Sequence, residues 1–343
     1  MLYILYPVCT VQYLSSMPAG AVRRLDLFVL LFVSGSAALL APAAAASDLV
    51  LTPCGMRPRE CVREAPQHAV VRASGGDGFV VEHADGRLER VDVPDRCHAF
   101  MAEEHERLSR VREEAPGEGE EVEEEAGAIP NGWIESAGVY RMDPEVTIQS
   151  FTGKWTVPPA PTAPHKPETL YYFIGLEDRT QGKLTTIHQP VLTWGDQTEG
   201  GQFDNQWHLW SWTCCPKNLT WHSPDIAGFA PGETLFGRIE KQSADTWLID
   251  GAWREKDGSW RNTTLVSQVG GFNYNYADVT LEVYNVTSCA QMSQGSVTFS
   301  ELALTLSDRS EWKPPMWYVT GQPTNCDVNM KILNQTTMAI SSN

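Results

Sequence analysis

The feature that most constrains the fold is a succession of short strand-like segments from about residue 133 to the C-terminus. These segments are rich in Trp, Tyr, Thr and Val, and turn-forming residues separate them at short intervals. Patterns typical of amphipathic helices are nearly absent. So many closely spaced strands within about 210 residues predict an all-β fold, an antiparallel β-sandwich or barrel.

Two of these segments carry polar side chains where apolar residues are expected. One region, LYYFIGLEDRTQGKLTTIHQPVLTWG, contains Gln189, and the other, YADVTLEVY, contains Asp278 and Glu282. A carboxylate on a sheet face is costly unless water, a partner or a function holds it there. Asp278 and Glu282 are four residues apart, so on a regular strand both point to the same face. These strands are the candidate site.

The first 46 residues have the pattern of a secretory signal peptide. Arg23 and Arg24 precede the apolar run LDLFVLLFVSGSAALLAPAAAA, whose small-residue end predicts cleavage after Ala46. A start at Met17 instead of Met1 would give a more ordinary signal length. The alternative is a membrane anchor, but no basic stop follows the run. We therefore expect a secreted, extracellular protein without stable membrane insertion.

Residues 47–130 are predicted to form a small propeptide-like segment, and residues 131–343 the β-sandwich domain. Stretches such as HAVVRA and GFVVEHADGRLERVDVP predict a few strands or a small hairpin, and residues 99–112 a helix. Between Glu103 and Glu125, eleven Glu stand against three Arg. This run predicts an exposed acidic linker that ends near Pro130.

The net charge of the chain limits its partners, and its N-glycosylation sequons indicate its compartment. A net charge of −17 argues against nucleic acid and anionic membranes as partners. Four N-x-S/T sequons follow the signal peptide, as expected of a glycosylated secreted domain. They lie at Asn218, Asn262, Asn285 and Asn334.

The eight cysteines predict disulfide chemistry. Removal of the signal peptide removes Cys9 and leaves an odd number of seven. In an oxidising compartment the preferred disulfide joins Cys289 and Cys326. The adjacent Cys214 and Cys215 form either a strained vicinal bridge or pairs with other cysteines. The remaining cysteines, in the upstream segment, are Cys54, Cys61 and Cys97.

The order of several motifs resembles that of the glutamic peptidases, the eqolisin family. These motifs are FIGLED, TIHQPVLTWG, NQWHLWSW, FAPGETLFGRI, TWLIDGAW, YADVTLEV and SVTFSEL, within residues 151–306. The resemblance implies a secreted acid protease with a propeptide and a two-sheet, concanavalin-like β-sandwich. The family's glutamine motif, like ILQTG, matches residues 187–191, and its glutamate motif, like AEWIVE, matches residues 277–282.

The resemblance implies that a Gln on one strand and an acid on another hold the water that attacks a peptide bond. Gln189 matches the Gln, and Asp278 stands at the first acid of the motif. Glu282 matches the second acid and keeps the longer carboxylate, so the sequence favours Glu282 as the general acid and base, with Asp278 as the other candidate. We expect a polypeptide substrate, no cofactor, no metal and a monomer. The substrate groove is predicted to contain Phe173, Glu177, Trp194, Trp207, Trp210 and Trp212.

Two further functions compete with the peptidase. A non-catalytic, lectin-like sandwich could stack its tryptophans on sugar rings, and its partner would then be a glycan. A metal site could use His208, Cys214, Cys215 and His222, but their spacing matches no standard zinc pattern. A glycosidase is disfavoured, because Asp278 and Glu282 are about 13 Å apart along one strand.

Overall fold

The computed structural model describes residues 48–113, 129–141, 143, 145–164, 168–179, 186–195, 205–314, 316–322 and 324–342. The predicted signal peptide, residues 1–46, and most of the acidic linker lie outside the described residues. Their predicted roles therefore stay predictions.

Short strands make up most of the described chain, because β-branched and aromatic residues alternate with turn residues along it. The strands are β1 (Leu49–Thr52), β2 (Gly55–Pro58), β3 (Val62–Glu64), β4 (Val70–Ala73), β5 (Gly78–Glu82), β6 (Leu88–Asp92), β7 (Gly132–Tyr140), β8 (Ile148–Thr156), β9 (Thr169–Glu177), β10 (Ile187–Trp194), β11 (Trp207–Cys214), β12 (Thr220–His222), β13 (Ile226–Ala227), β14 (Thr234–Lys241), β15 (Thr246–Arg254), β16 (Trp260–Gln268), β17 (Tyr276–Tyr284), β18 (Gly295–Leu306), β19 (Glu311–Trp312), β20 (Tyr318–Gly321), β21 (Asn329–Asn334) and β22 (Thr337–Ser342). The α-helix is α1 (Asp95–Glu113), and three short 3-10 turns cover Arg59–Cys61, Pro216–Asn218 and Cys289–Gln291.

Two large sheets confirm the predicted all-β class. Sheet 1 has the strand order β20-β7-β17-β9-β10-β11-β12-β3, and β13 also pairs with β11. Sheet 2 has the order β21-β22-β18-β8-β14-β15-β16-β4-β5-β6, and β19 also pairs with β18. A third, small sheet is the N-terminal hairpin formed by β1 and β2.

The interior lies between sheet 1 and sheet 2. Leu192 and Leu209 from sheet 1 belong to one buried cluster with Phe151, Ile249 and Leu265 from sheet 2. These side chains come from alternate positions of their strands, which is the pattern of a sandwich core. Burial of this apolar area is the main source of stability for the fold.

The N-terminal segment contributes strands to both large sheets. Strand β3 adds to the edge of sheet 1 beside β12, and β4 adds to sheet 2 beside β16. Both of these pairings are parallel, whereas the strands of the predicted sandwich, residues 131–343, pair with one another in antiparallel fashion. The chain crosses from sheet 1 to sheet 2 between Glu64 and Val70. The predicted helix is present as α1.

Two disulfides tie the fold together. Cys289 and Cys326 are bonded with Cα atoms 5.1 Å apart, which confirms the predicted pair. A second bond, which the sequence did not predict, joins Cys61 beside β3 to Cys97 in α1, with Cα atoms 5.6 Å apart. This second disulfide lies wholly within the N-terminal segment.

Other surface features bear on the predicted compartment. None of the helices in the described part of the chain is long and apolar enough to cross a membrane. The sequon residues Asn262, Asn285 and Asn334 are exposed. Asn218 is half-buried, and its side-chain amide contacts Nδ1 of His98 at 2.9 Å. Glycosylation stays a prediction.

Candidate active site

The polar residues of β17 lie on the side of sheet 1 that faces away from sheet 2. Alternate residues of this strand, such as Val279 and Leu281, enter the interior. Asp278, Thr280 and Glu282 therefore point to the opposite side. We call this side the site face. Its apolar and thiol members include Trp133, Tyr171, Phe173, Ile187, Val191, Trp210, Trp212, Cys214 and Tyr284.

Gln189 and Asp278 occupy one row across the site face. Strand β9 lies between β17 and β10, and Asp278 is opposite Gly175 of β9. The neighbouring pairs His188 with Leu176 and Val191 with Phe173 set Gln189 level with the same glycine. The backbones that carry the two polar residues are therefore two strand spacings apart, roughly 10 Å.

Gly175 leaves the space between these two residues open. A Cβ atom at this position would lie 2.7 Å from Oδ2 of Asp278 and 3.0 Å from Cδ1 of Ile187. The carboxyl of Asp278 thus extends over the glycine, towards the strand that carries Gln189. Any larger residue at position 175 would displace it.

The environment of Asp278 favours its protonated form. Burial raises the pKa of this carboxyl well above its usual value, and the negative charge of nearby Glu177 raises it further. The hydroxyl of Thr280 donates a hydrogen bond of 2.8 Å to Oδ1. Glu177 is itself ion-paired with Arg179, whose Nη2 donates to Oε1 at 3.0 Å. Arg179 also lies 3.5 Å from the centre of the Tyr276 ring.

Gln189 is fully buried and donates to a peptide carbonyl. Its Nε2 donates a hydrogen bond of 3.3 Å to the backbone oxygen of Pro53, in the turn of the N-terminal hairpin. The same nitrogen lies 3.7 Å from Sγ of Cys214. Its Oε1 accepts no hydrogen bond from the described residues. The side-chain amide is therefore held against the backbone of another segment.

Glu282 lies on the site face but in a different row. It is opposite Tyr171, which in turn is opposite Thr193 of β10. Burial raises the pKa of Glu282 to about 8, against the opposing effects of the Tyr284 hydrogen bond and the charge of Arg57. The Tyr284 hydroxyl donates to Oε1 at 2.5 Å. The row of Glu282 is about 13 Å from the row of Gln189 along the strand direction.

The N-terminal hairpin closes the site face. Leu51 and Cys54 of the hairpin are buried in the same cluster as the site-face residues, and Met56 packs against it. Arg57 is 4% exposed, although it is charged. The side chains of Gln189, Asp278 and Glu282 are fully buried, and the hairpin contacts Gln189 through the Pro53 carbonyl.

Four of the predicted groove residues lie on the site face or at its end. Phe173 meets Trp133 edge-on with ring centroids 5.6 Å apart. Trp210 and Trp212 are 5.9 Å apart and both contact the ring of His222. The fourth predicted residue is Glu177, which lies beside Asp278.

Trp194 and Trp207 are not on the site face, and their assignment to the groove needs correction. Their rings are 5.3 Å apart in the interior between the sheets. The reason is strand alternation, which puts residues an odd number apart on opposite faces. Trp194 is an odd number of residues from Gln189. Trp207 is an odd number of residues from both Trp210 and Trp212. Trp194 Nε1 donates to the buried Glu168 at 3.1 Å.

The residues proposed as an alternative metal site do not gather as one set. His208 bonds through Nδ1 to Oδ2 of Asp225 at 2.6 Å. Among the described residues, the group with ligand atoms within 4.8 Å of one another is Cys54, Cys214 and Cys215. No pattern in the sequence predicts that the distant Cys54 joins the other two.

Sequence reasoning also missed three residues that shape the surroundings of Asp278 and Glu282. Gly175 opens the row, and Arg179 binds Glu177. Arg57 brings a positive charge near Glu282 from the N-terminal hairpin. Arg179 follows Glu177 by two residues, just past the end of β9, and an oppositely charged pair so close in sequence was a usable signal.

Comparisons with known proteins extend the motif resemblance to solved structures. No family model matches the chain, and no curated protein matches it. Similar solved structures include the crystal structure of scytalido-glutamic peptidase with a peptide-based transition-state analogue, at 14% identity and a TM-score of 0.46. A second structure of that peptidase, with a transition-state analogue inhibitor, has 15% identity and a TM-score of 0.44. SCP-B, a member of the eqolisin family in complex with the tripeptide Ala-Ile-His, has 14% identity and a TM-score of 0.43.

Each of these three similarities covers 62% of this chain and 98% of the other chain. The similar structures are glutamic peptidases. This is the family that the sequence motifs resemble.

Proposed function

We propose that this protein is a secreted acid endopeptidase of the glutamic peptidase type, with Gln189 and Asp278 as its catalytic pair. The observation that carries the proposal is the row in which Gln189 and Asp278 flank the side-chain-free Gly175. The carboxyl of Asp278 projects over this glycine, and Gln189 is level with the glycine on the strand on its other side. This arrangement suits one water molecule and one peptide carbonyl between an amide and a carboxyl.

Asp278 is proposed as the general base and then the general acid. Its carboxylate accepts a proton from a water molecule while the water oxygen attacks the carbonyl carbon of the substrate. The protonated carboxyl then gives the proton to the leaving nitrogen, and the peptide C–N bond breaks. Such acid and base assistance is worth about 10²–10⁴-fold in rate.

Gln189 is proposed to stabilise the oxyanion that forms during the attack. Its amide nitrogen already donates to a peptide oxygen, that of Pro53, in the closed form. A substrate carbonyl that replaced the hairpin would receive the same hydrogen bond. One donor of this kind contributes about 10²–10³-fold to the rate.

The register supports Asp278 over Glu282, which the sequence favoured for its longer carboxylate. A general base must come within hydrogen-bond reach of the water, so position decides before pKa. Glu282 is in another row and hydrogen-bonded to Tyr284. We propose that Glu282 supports the groove, where Phe173, Trp210 and Trp212 would bind substrate side chains.

Activity at acid pH is expected from the same surroundings. Burial is the largest cause of the raised pKa of Asp278, and the negative charge of Glu177 raises it further. When a substrate replaces the hairpin, the loss of burial lowers this pKa towards the usual range of an aspartate. The carboxylate that accepts the proton from water is then present at acid pH.

The test is proteolysis of a denatured protein by the purified full chain at acid pH, with products identified by mass spectrometry. We expect Gln189→Ala and Asp278→Asn each to lower the rate about 100-fold or more. Glu282→Gln is the matched control and should keep most of the activity. Parental activity in Asp278→Asn would contradict the assignment, and glycan binding without any cleavage would favour the lectin-like alternative.

A further inference from the structure

Three cysteines meet where the N-terminal hairpin contacts sheet 1. Their sulfur atoms all lie within 4.8 Å of one another. Cys54 belongs to the turn of the hairpin, Cys214 ends β11, and Cys215 follows it. The cluster lies next to Gln189, whose Nε2 is 3.7 Å from Sγ of Cys214. The proposed mechanism uses none of these thiols.

The protein contains two disulfides, so other cysteines of the same chain meet the same oxidising conditions. The other described cysteines form the pairs Cys61–Cys97 and Cys289–Cys326. Cys54, Cys214 and Cys215 are free thiols. Three thiols can form one disulfide and leave one thiol over.

Cys215 is the member best placed to react first. It is half-buried, whereas Cys54 and Cys214 are buried. Nη2 of Arg57 donates to its sulfur at 3.5 Å. Hydrogen bonds from Cys214 and Cys54 hold the pKa of Cys215 well below its usual value, and the Arg57 charge lowers it further. Thiolates are the nucleophiles of disulfide exchange.

Cys54 is the better partner for Cys215. A bond between the adjacent Cys214 and Cys215 would close a strained eight-membered ring, whereas Cys54 approaches from a separate segment. The two sulfur atoms must move from within 4.8 Å to about 2.05 Å. Side-chain rotation covers a change of this size.

We propose that Cys54 and Cys215 form a reversible disulfide that fastens the N-terminal hairpin over the site face. The cluster of three cysteines is the evidence for the cross-link. Only the effect of the cross-link on catalysis rests on the proposed function. While the bond is closed, the turn that carries Pro53 stays on Gln189. Reduction frees the hairpin to leave the site face.

The oxidant is a small disulfide such as oxidised glutathione. The Cys215 thiolate attacks one of its sulfur atoms, forms a mixed disulfide and releases one glutathione thiolate. The Cys54 thiolate then attacks the Cys215 sulfur and releases the second glutathione. Two protein thiols are oxidised, one glutathione disulfide is reduced to two thiols, and the two protein protons pass to the released thiolates.

Peptide mapping tests the cross-link. The full chain is incubated with oxidised glutathione, its remaining thiols are alkylated, and it is digested without reduction for mass spectrometry. We expect a linked peptide pair containing Cys54 and Cys215, with Cys214 alkylated. The link should persist in Cys214→Ser and disappear in Cys215→Ser. A Cys214–Cys215 bond, three alkylated thiols, or a metal ion retained by the thiols in native mass spectrometry would overturn the proposal.

Hydrogen exchange tests, without reference to activity, whether the Cys54–Cys215 disulfide fastens the hairpin, a role that we call the latch. Oxidation should slow amide exchange in residues 49–58 about tenfold or more in the parent and in Cys214→Ser, but not in Cys215→Ser. Equal exchange in oxidised and reduced parent protein would overturn the latch. If the cross-link and the protection both appear while no redox state cleaves a polypeptide, the latch stands and the proposed peptidase activity fails.

Discussion

The two faces of sheet 1 are built from the same strands but differ in chemistry. Towards sheet 2, β17 presents Ala277, Val279, Leu281 and Val283 to a dry, apolar interior. Towards the N-terminal hairpin, the same strand presents Asp278, Thr280 and Glu282. Both faces are fully buried. The apolar one is covered by a second sheet, and the polar one by a hairpin of ten residues, 49–58.

This difference separates the part of sheet 1 that stabilises the fold from the part for which we propose a chemical role. Apolar burial in the interior contributes favourably with every side chain. Buried carboxyls on the site face are costly, because they lose hydration or keep a proton at a pH where water would remove it. Costly groups held in one place by a removable cover are expected of a functional site.

The largest effect of a single substitution on stability is expected in the interior. Leu209 is fully buried between the sheets. Leu209→Ala should lower the free energy of unfolding by about 2–5 kcal/mol, because it removes apolar contacts and leaves a cavity. Denaturant unfolding measures the change. A loss under 1 kcal/mol would mean that the interior is not packed as described.

A substitution on the site face should instead stabilise the protein at neutral pH. The pKa of Glu282 is raised to about 8, so the unfolded chain loses this proton at a lower pH than the folded chain. The free energy of unfolding therefore falls as pH rises above about 4.5, and at pH 7 this group has lowered it by on the order of 3 kcal/mol. Glu282→Gln removes that loss and keeps an acceptor for Tyr284.

Thermal unfolding of the parent and Glu282→Gln between pH 5 and pH 8 checks this sign. The variant should gain over the parent as pH rises, and the two should converge towards pH 5. Burial also raises the pKa of Asp278, and it raises the pKa of Glu135 to about 7. These two carboxyls should leave a residual dependence of stability on pH with the same sign. A parent that becomes more stable from pH 5 to pH 8 would contradict the buried, protonated site face.

Two glycine-to-alanine substitutions compare the site face with the interior, because each adds one methyl group. Gly175→Ala would place its Cβ 2.7 Å from Oδ2 of Asp278. Gly153→Ala would meet Cδ2 of Leu302 at 2.7 Å in the interior, and this flexible side-chain end can move aside. We expect Gly175→Ala to cost about 1–3 kcal/mol and Gly153→Ala less. Denaturant unfolding of both variants ranks them, and the opposite order would show that the Asp278 carboxyl is not confined over Gly175.

The sequence predicted the strands, the sandwich class and the common side of Asp278 and Glu282 through period-two alternation. It did not predict which tryptophans face the groove. All eight residues of β10 and of β11 are buried, so no polar and apolar alternation marks the two faces. This explains the misplacement of Trp194 and Trp207.

The row of Gln189 and Asp278 was beyond sequence reasoning for a different reason. It depends on the register of β9 against two neighbours, and a slip of one residue would replace Gly175 by a bulky side chain in the row. The contact of Gln189 with Pro53 joins residues 136 apart in sequence. Local patterns carry no information about such a contact, and the cluster of Cys54 with Cys214 and Cys215 was hidden for the same reason.

The most direct measurement is the turnover of a denatured protein substrate by Leu51→Asp, in reduced full-length protein at acid pH. Leu51 is 2% exposed within the site-face cluster, and loss of its burial should weaken closure by about 1.5–3 kcal/mol. Because 1.4 kcal/mol is tenfold in population, the rate should rise about tenfold or more. Amide exchange in residues 49–58 should accelerate in the same sample.

The double variant Leu51→Asp with Asp278→Asn separates opening from catalysis. It should keep the fast exchange of the hairpin and lose the gain in turnover, because the face is open but the acid is gone. The account would be contradicted if turnover rose in the double variant as much as in Leu51→Asp. It would also be contradicted if Leu51→Asp showed fast hairpin exchange without any gain in turnover. Either result would mean that the face closed by the N-terminal hairpin is not catalytic.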